Sequence, residues 1–287
     1  MPSSAGFGGA APKILFFWCA AAHQNESEST TMPQSPFDIT NKIALITGSG
    51  RGLGATLAEA FSQAGARIVV ADIDPATAQA TRDRIIAQGG EALAHPCDIS
   101  DPQQTQELCA ATLARFGGLD ILINNAGVNI PKPAADLHID EWNRIIGTNL
   151  TGTFLCCQAA GTIMLHQGSG AIINICSIHG HVGSYVHQAV AYNASKAGVI
   201  NLTRSLALEW GSQGVRVNGI SPGPLATELM ATRLANQAYV DRMLDRMAIK
   251  RIGTPADVVG AALFLASPAA AWVTGQILAV DGGWLAA

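Results

Sequence analysis

The sequence predicts an α/β protein whose parallel sheet is covered by helices on both faces. Three observations carry that prediction. From Lys42 onward, short runs rich in β-branched residues alternate with longer helical patterns. The short runs are apolar enough to be strands buried on both sides. No linker or internal repeat divides the series, so one domain accounts for it.

In chain order, a strand over residues 42–47 leads through a glycine-rich turn into a helix over 53–64, which Gly65 stops. A second strand, 67–72, precedes a helix over 75–88 ending at Gly89. A third, 92–97, precedes a helix over 102–116 with Asp101 as N-cap and Gly117 as stop. The fourth strand, 119–124, is followed by one long helix over 139–166 with Asp140 as its cap, and the fifth, 171–177, by a helix over 190–213. The sixth, 216–221, is separated from a last helix over 255–266, capped by Thr254, by a polar, Met-containing stretch over 222–252. A seventh strand over 277–280 closes the series. An insertion at the carboxyl edge of such a sheet is well placed to cover a substrate.

The 287 residues are 48% hydrophobic and only 13% charged, which predicts an extensive core. A net charge of -4 with no block of Lys or Arg lacks the basic stripe that nucleic acid or an anionic membrane surface requires. No apolar run approaches the ~18 residues of a membrane span. Cys19, Cys97, Cys109, Cys156, Cys157 and Cys176 show neither Cys-x-x-Cys nor metal-ligand spacing. They read as small buried hydrophobes in a reducing, cytoplasmic setting, and no metal is expected. Residues 1–36 differ from the rest, with Gly/Ala/Pro/Ser, a short apolar run over 14–22 and a polar stretch. They read as a disordered leader to a domain over 37–287, with Met32 as an alternative initiator. A signal peptide fits less well, because a small-x-small cleavage pattern is missing.

Thr47-Gly48-Ser49-Gly50-Arg51-Gly52-Leu53-Gly54 follows the first strand and opens a helix, the context a dinucleotide-binding turn needs. Its glycines let the backbone approach a pyrophosphate, whose charge the helix N-terminus stabilises. Asp72, 18 residues after Gly54, ends the second strand, where a carboxylate can accept from ribose hydroxyls and repel a 2′-phosphate. Arg51 pulls the other way. The direct repulsion by Asp72 favours NAD over NADP.

Tyr192 and Lys196 stand four apart in Ala-Tyr-Asn-Ala-Ser-Lys, with Ser177 upstream. A phenol titrates near ~10, and an ammonium one helical turn away can favour the phenolate. This trio points to carbonyl and alcohol redox chemistry.

The residues from about Phe37 to the C-terminus resemble the short-chain dehydrogenase/reductases of the single-domain type. The resemblance rests on the glycine turn, Cys97-Asp98-Ile99, Asn124-Asn125-Ala126-Gly127, Thr148-Asn149-Leu150, Ser177, the Tyr192/Lys196 pair, Ser221-Pro222-Gly223 and Val280-Asp281-Gly282-Gly283. It implies a Rossmann fold, a doubly wound seven-stranded parallel sheet in the order 3-2-1-4-5-6-7, and a homotetramer built on the long helices and the last strand. It also implies roles. Tyr192 would be the general acid/base, Lys196 would bind the nicotinamide ribose and lower the tyrosine pKa, and Ser177 would hold the substrate oxygen. Asn149 would kink its helix and hold a water in a relay to Lys196. Asp98, with Ile99 beside it, would meet the adenine, Asn125 and Gly127 the adenosine ribose, and Leu225 and Thr227 the nicotinamide amide. Asn124 would be structural, bridging central strands.

Within that family the stretches 172–177 and 260–267 look most like gluconate 5-dehydrogenases. Asn129, His179, His181 and His187 offer donors and acceptors for a polyhydroxy acid, with Asn129, His179 and His187 the candidate substrate residues. Two alternatives stay open: a 3-oxoacyl-acyl-carrier-protein reductase, and a nicotinamide-binding sensor or subunit without turnover. The first needs cations to dock an acidic carrier. Here Gln213 stands before Gly214-Val215-Arg216, and Lys132 is alone in the other docking stretch.

Overall fold

The central strands carry side chains of both faces into apolar surroundings, and this explains the layering. In the computed structural model, which describes residues 35–183 and 188–286, β1 (Ile43–Thr47) is wholly buried. Its Ala44 and Ile46 pack with α1 (Gly52–Gln63), α2 (Pro75–Ala87) and α9 (Ala256–Ala266). Ile43 and Leu45 face the opposite layer of α3 (Pro102–Phe116), α5 (Thr153–Gln167) and α6 (Val190–Trp210). With period-two side-chain alternation, a two-sided core demands the unbroken apolar runs seen in the sequence.

The seven strands are β1, β2 (Arg67–Asp72), β3 (Ala92–Pro96), β4 (Ile121–Asn124), β5 (Gly170–Ile175), β6 (Val215–Pro222) and β7 (Ile277–Val280). They pair in the order 3-2-1-4-5-6-7. Every pairing is parallel. The switch between β1 and β4, where the chain reverses its direction of winding, opens a crevice at the carboxyl edge.

Several boundaries depart from expectation for visible reasons. β5 stops at Ile175, so Ser177 stands beyond the strand as the N-cap of a short 3-10 turn, its hydroxyl accepting from the His179 amide. The helix expected over 139–166 is three pieces: α4 (Ile139–Ile146), a π-helical turn over Gly147–Gly152, and α5. Asp140 lies inside the first turn of α4, whose cap is His138, with Glu141 reaching back to the His138 amide. Thr254 likewise precedes Pro255, the cap of α9, while Asp257 accepts from the Thr254 amide and hydroxyl. Asp101 does cap α3, accepting from Gln103 and Gln104. Gly65, Gly89 and Gly117 all take the left-handed conformation that ends their helices.

The stretch after β6 forms a short 3-10 turn, α7 (Ala231–Leu234) and α8 (Gln237–Arg246). It packs through Tyr239, Met243 and Met247 onto Ile178 and the C-terminal Trp284, a small core separate from the two sheet layers. Cys97, Cys109, Cys156, Cys157 and Cys176 are free and buried. Burial pushes the thiols of Cys97, Cys109 and Cys157 up to about 12 and that of Cys176 to about 11. Cys19, His187 and residues 1–34 of the leader lie outside the described residues, while the Pro36 carbonyl accepts from the Ala269 amide. No helix among the described residues is long and apolar enough to cross a membrane.

Candidate active site

The carboxyl ends of the strands converge on a cleft of about 820 Å³. Gly48, Arg51, Gly52, Leu53, Asp72, Asp98, Ile99, Asn125, Gly127, Asn129, Ser177, His179, Tyr192, Lys196, Leu225 and Thr227 all line it. Gly54 and Asn149 do not; both stand behind its wall.

The glycine turn at one end is shaped by close approach. Gly48 has φ +61° and packs so tightly that a Cβ would fall 2.7 Å from the Ala126 Cα. At Gly54 a Cβ would lie 2.1 Å from the Gly48 carbonyl oxygen, so Gly54 supports the turn from beneath. Asn125 braces the same turn, its Nδ2 donating to the carbonyls of Thr47 (3.0 Å) and Gly48 (2.9 Å). Asp72 accepts from the Gly50 amide at 2.9 Å, fixing the end of β2 against the turn. Asp98 accepts from the Ser100 amide and hydroxyl. Arg51 caps α1 by position only, with no side-chain bond to the first turn and no acidic residue there. The helix N-terminus thus faces the cleft with its partial positive charge uncompensated, while a Cβ at Gly52 would meet nothing within 4 Å. A cradle of open glycine backbone, an unpaired helix N-terminus and a carboxylate at the next strand end fits a dinucleotide.

At the other end stand Ser177, Tyr192 and Lys196. The Ser177 hydroxyl stands close enough to the Tyr192 phenol to pull its pKa down. Lys196 donates to the Ile175 carbonyl at 2.6 Å, and its Nζ lies 5.8 Å from the Tyr192 ring centre. Burial pushes the lysine down to about 8. The expected lowering of the phenol by Lys196 is absent. Burial pushes the Tyr192 pKa above its ordinary value, with the Ser177 hydroxyl and the Arg233 charge pulling against it. The ammonium is instead drawn to a backbone carbonyl at the strand end.

Asn149 explains the π-helical turn. Its Oδ1 accepts from the Val128 amide (2.8 Å), and its Nδ2 donates to the Val128 carbonyl (2.9 Å) and to the Ser195 hydroxyl (3.1 Å). A side chain committed to a neighbouring strand exit pulls its helix out of register. A Cβ at Gly127 would sit 3.2 Å from Asn149 Oδ1 and 3.7 Å from Lys196 Nζ, so both groups face one spot. Asn124 donates to Asn174 Oδ1 at 2.9 Å, joining β4 to β5 as a structural residue.

The histidines separate. His181 bonds the Ser221 hydroxyl at 2.9 Å and is not part of the cleft wall. His179 lines the cleft and is pushed down to about 4, mainly by burial, so it is neutral at physiological pH. Sequence reading missed Asn143 and Arg144 of α4, and Met230, Arg233, Met243 and Trp284. Position 284 showed only as part of an apolar end, and the 222–252 stretch only as a block.

A family model described as "Enoyl-(Acyl carrier protein) reductase" matches residues 48–285. The chain is 40% identical over 248 residues to D-threitol dehydrogenase of Mycolicibacterium smegmatis, covering 86% of this chain and 94% of that protein. It belongs to the short-chain dehydrogenase/reductase family. This dehydrogenase/reductase is also 39% identical to a 3-oxoacyl-[acyl-carrier-protein] reductase of Synechocystis sp., over 85% of this chain and 97% of that one. Its fold matches a gluconate 5-dehydrogenase of Burkholderia cenocepacia, solved with NADP and tartrate, at a TM-score of 0.85 and 36% identity. That match covers 88% of this chain and 98% of the other. The oxidoreductase class, the seven-stranded architecture and the use of a nicotinamide cofactor follow from the family; the substrates these relatives name differ from one another.

Proposed function

We propose that this protein is an NAD-dependent oxidoreductase that interconverts a secondary alcohol and a ketone on a polyhydroxylated substrate, a sugar acid or polyol such as gluconate and 5-ketogluconate. The observation that carries the chemistry is the Ser177–Tyr192–Lys196 cluster at the carboxyl edge of the sheet. A bound nicotinamide dinucleotide supplies the hydride acceptor for oxidation and the donor for reduction. Tyr192 takes the substrate's hydroxyl proton on oxidation and returns it on reduction. Its raised pKa keeps it protonated at neutral pH, ready for the reductive direction. Ser177 holds the same oxygen by its hydroxyl. Asn149 and Lys196 face one spot beside Gly127, where Asn149 would hold a water through which Lys196 passes the proton onward from Tyr192.

Asp72 supports NAD, because its carboxylate stands against the glycine turn where a 2′-phosphate would bring like charge. The polyhydroxy reading draws on the relatives that act on D-threitol and gluconate and on the tartrate held by one of them. The acyl-carrier alternative is disfavoured by Lys132, which is engaged by Glu141 at 2.8 Å rather than free to dock an acidic partner. We place the catalytic domain at residues 37–287 in a cytoplasmic homotetramer. Assembly is supported by exposed Phe154 on α5, Leu208 on α6 and Leu278 on the edge strand β7.

Initial rates with 5-ketogluconate, a 3-oxoacyl thioester and simple ketoses, each with NADH and NADPH, test the reading. Fast NADH oxidation by the keto acid is expected. Activity confined to the thioester would move the enzyme to acyl reduction. Cofactor binding with no turnover of any ketone would favour the sensor.

A further inference from the structure

The stretch between β6 and α9 brings one cation over the catalytic cluster. Arg233, on α7, lines the cleft together with Ser177, Tyr192 and His179. Its charge is felt at both Tyr192 and His179. Among the described residues no carboxylate pairs with it, although the cations of six other ion pairs all have one. Among the described residues its one geometrically sound hydrogen bond is to the Met230 thioether, at 3.6 Å, a weak acceptor. The Tyr239 hydroxyl stands beside it without a bond of good geometry.

Around this guanidinium the wall is apolar, formed by Met230, Met243 and Trp284. The Trp284 indole is 2% exposed and its Nε1 has no hydrogen-bond partner. A half-buried guanidinium offers five donors in a planar fork and carries a desolvation cost unless an anion meets it. Asn129, also on the cleft wall, has an unpartnered Oδ1, an acceptor suited to a substrate hydroxyl. An orphaned fork and an orphaned acceptor flanking Ser177 and Tyr192 describe a ligand with an anionic group at one end and hydroxyls along its length.

We propose that Arg233 binds the carboxylate of the substrate, so that the enzyme selects hydroxy acids over neutral polyols of the same length. The proposal rests on the polyhydroxy reading above and narrows it. The Lys196 ammonium is committed to the Ile175 carbonyl, and of the arginines on the cleft wall, Arg51, Arg144 and Arg233, it is Arg233 whose charge acts on Tyr192. Glu228 also lines the cleft without pairing to Arg233, so a substrate carboxylate competes with no preformed ion pair.

The test compares gluconate with its neutral counterpart glucitol in wild type, Arg233→Gln and Arg233→Lys. Turnover is measured with NAD, and gluconate binding by quenching of NADH fluorescence in the protein–NADH complex. Arg233→Gln is expected to lower kcat/KM for gluconate by ~10- to 100-fold, chiefly through KM, and to change that for glucitol by less than about threefold, on the scale of one charge-assisted bidentate contact. Arg233→Lys should recover part of the loss. Equal losses for both substrates, or gluconate binding unchanged in Arg233→Gln, would overturn the proposal and leave the polyhydroxy reading standing. Gluconate bound through Arg233 but never oxidised would sink that reading and keep the anion site. Failure of the wild-type complex to bind gluconate at all would also overturn the proposal.

Discussion

At one end of the cleft, Gly48, Gly52, Gly54 and Arg51 come from a single turn, and Asn125 and Asp72 bond directly to its backbone. At the other, Ser177, Arg233 and Trp284 arrive from three segments far apart in sequence and meet over a small core of their own. Backbone geometry makes the first end, with no room for a side chain at Gly48 and Gly54. Side-chain identity on a separate roof makes the second. The glycine-turn end is therefore constrained by contacts that a substitution must break, whereas the roof can change its residues without disturbing the sheet. A family with one cofactor chemistry and many substrates is the expected outcome of that division.

The largest effect is expected in the catalytic cluster beneath the roof. Tyr192→Phe should lower kcat by ~10²- to 10⁴-fold, the usual span for removing a general acid/base, while NADH still binds. Steady-state rates and a fluorescence titration check this; near-normal kcat would remove Tyr192 from the chemistry.

A paired experiment probes the contrast itself. In Gly54→Ala the new methyl meets the Gly48 carbonyl at 2.1 Å, so the turn must move. Cofactor affinity should fall at least ~10-fold, with a stability loss of about 1–3 kcal/mol from overpacking. Met230→Ala, in the roof, should raise the substrate KM several-fold and leave the cofactor Kd within about twofold. If both variants shifted both constants alike, the two ends would be one cooperative unit.

The same division decides what was legible in the sequence. The alternation of strands and helices, the glycine turn, Asp72 and the Tyr192/Lys196 pair are encoded by local spacing, and each stands where spacing put it, whereas the strand order came from the family resemblance. The break at Asn149 was signalled only by resemblance, because its cause is a pair of hydrogen bonds to Val128, which no helical periodicity reveals. Arg233 and Trp284 were invisible as site residues. One lies in a polar stretch without a periodic pattern, the other in an apolar tail, and only tertiary packing turns them towards Tyr192. The phenol's raised pKa was missed for a related reason: four-residue spacing places Lys196 on the right face but does not show that Ile175 claims the ammonium.

A smaller effect sits at the edge of the glycine turn. Asp72→Ala should move the NAD:NADP ratio of kcat/KM by about 10-fold towards NADP, the scale of one like-charge contact removed. An unchanged ratio would assign the preference to Arg51 or to another group.

The last test separates the body of the fold from its roof by pH. Cys97, Cys109, Cys156 and Cys157 are buried on one face of the sheet, and none belongs to the roof. Burial raises the Cys157 thiol from its ordinary 9.0 to about 12, and Cys97 and Cys109 to the same level. Between those values the folded chain keeps protons that the unfolded chain releases. The stabilisation is complete below pH 9 and is lost as pH rises towards about 12. Lys196 has the opposite sign, since its pKa falls from 10.5 to about 8 and stability gains between those values. One lysine is outweighed above pH 9 by several thiols, so denaturant midpoints should fall steeply from there. Each thiol contributes up to about 1.4 kcal/mol per pH unit. Cys157→Ala, whatever it does to absolute stability, should flatten the slope by that amount, while Met230→Ala should leave the slope alone. A slope that ignored Cys157 would mean that the body relaxes around its thiols before it unfolds, and that its rigidity relative to the roof is smaller than the packing implies.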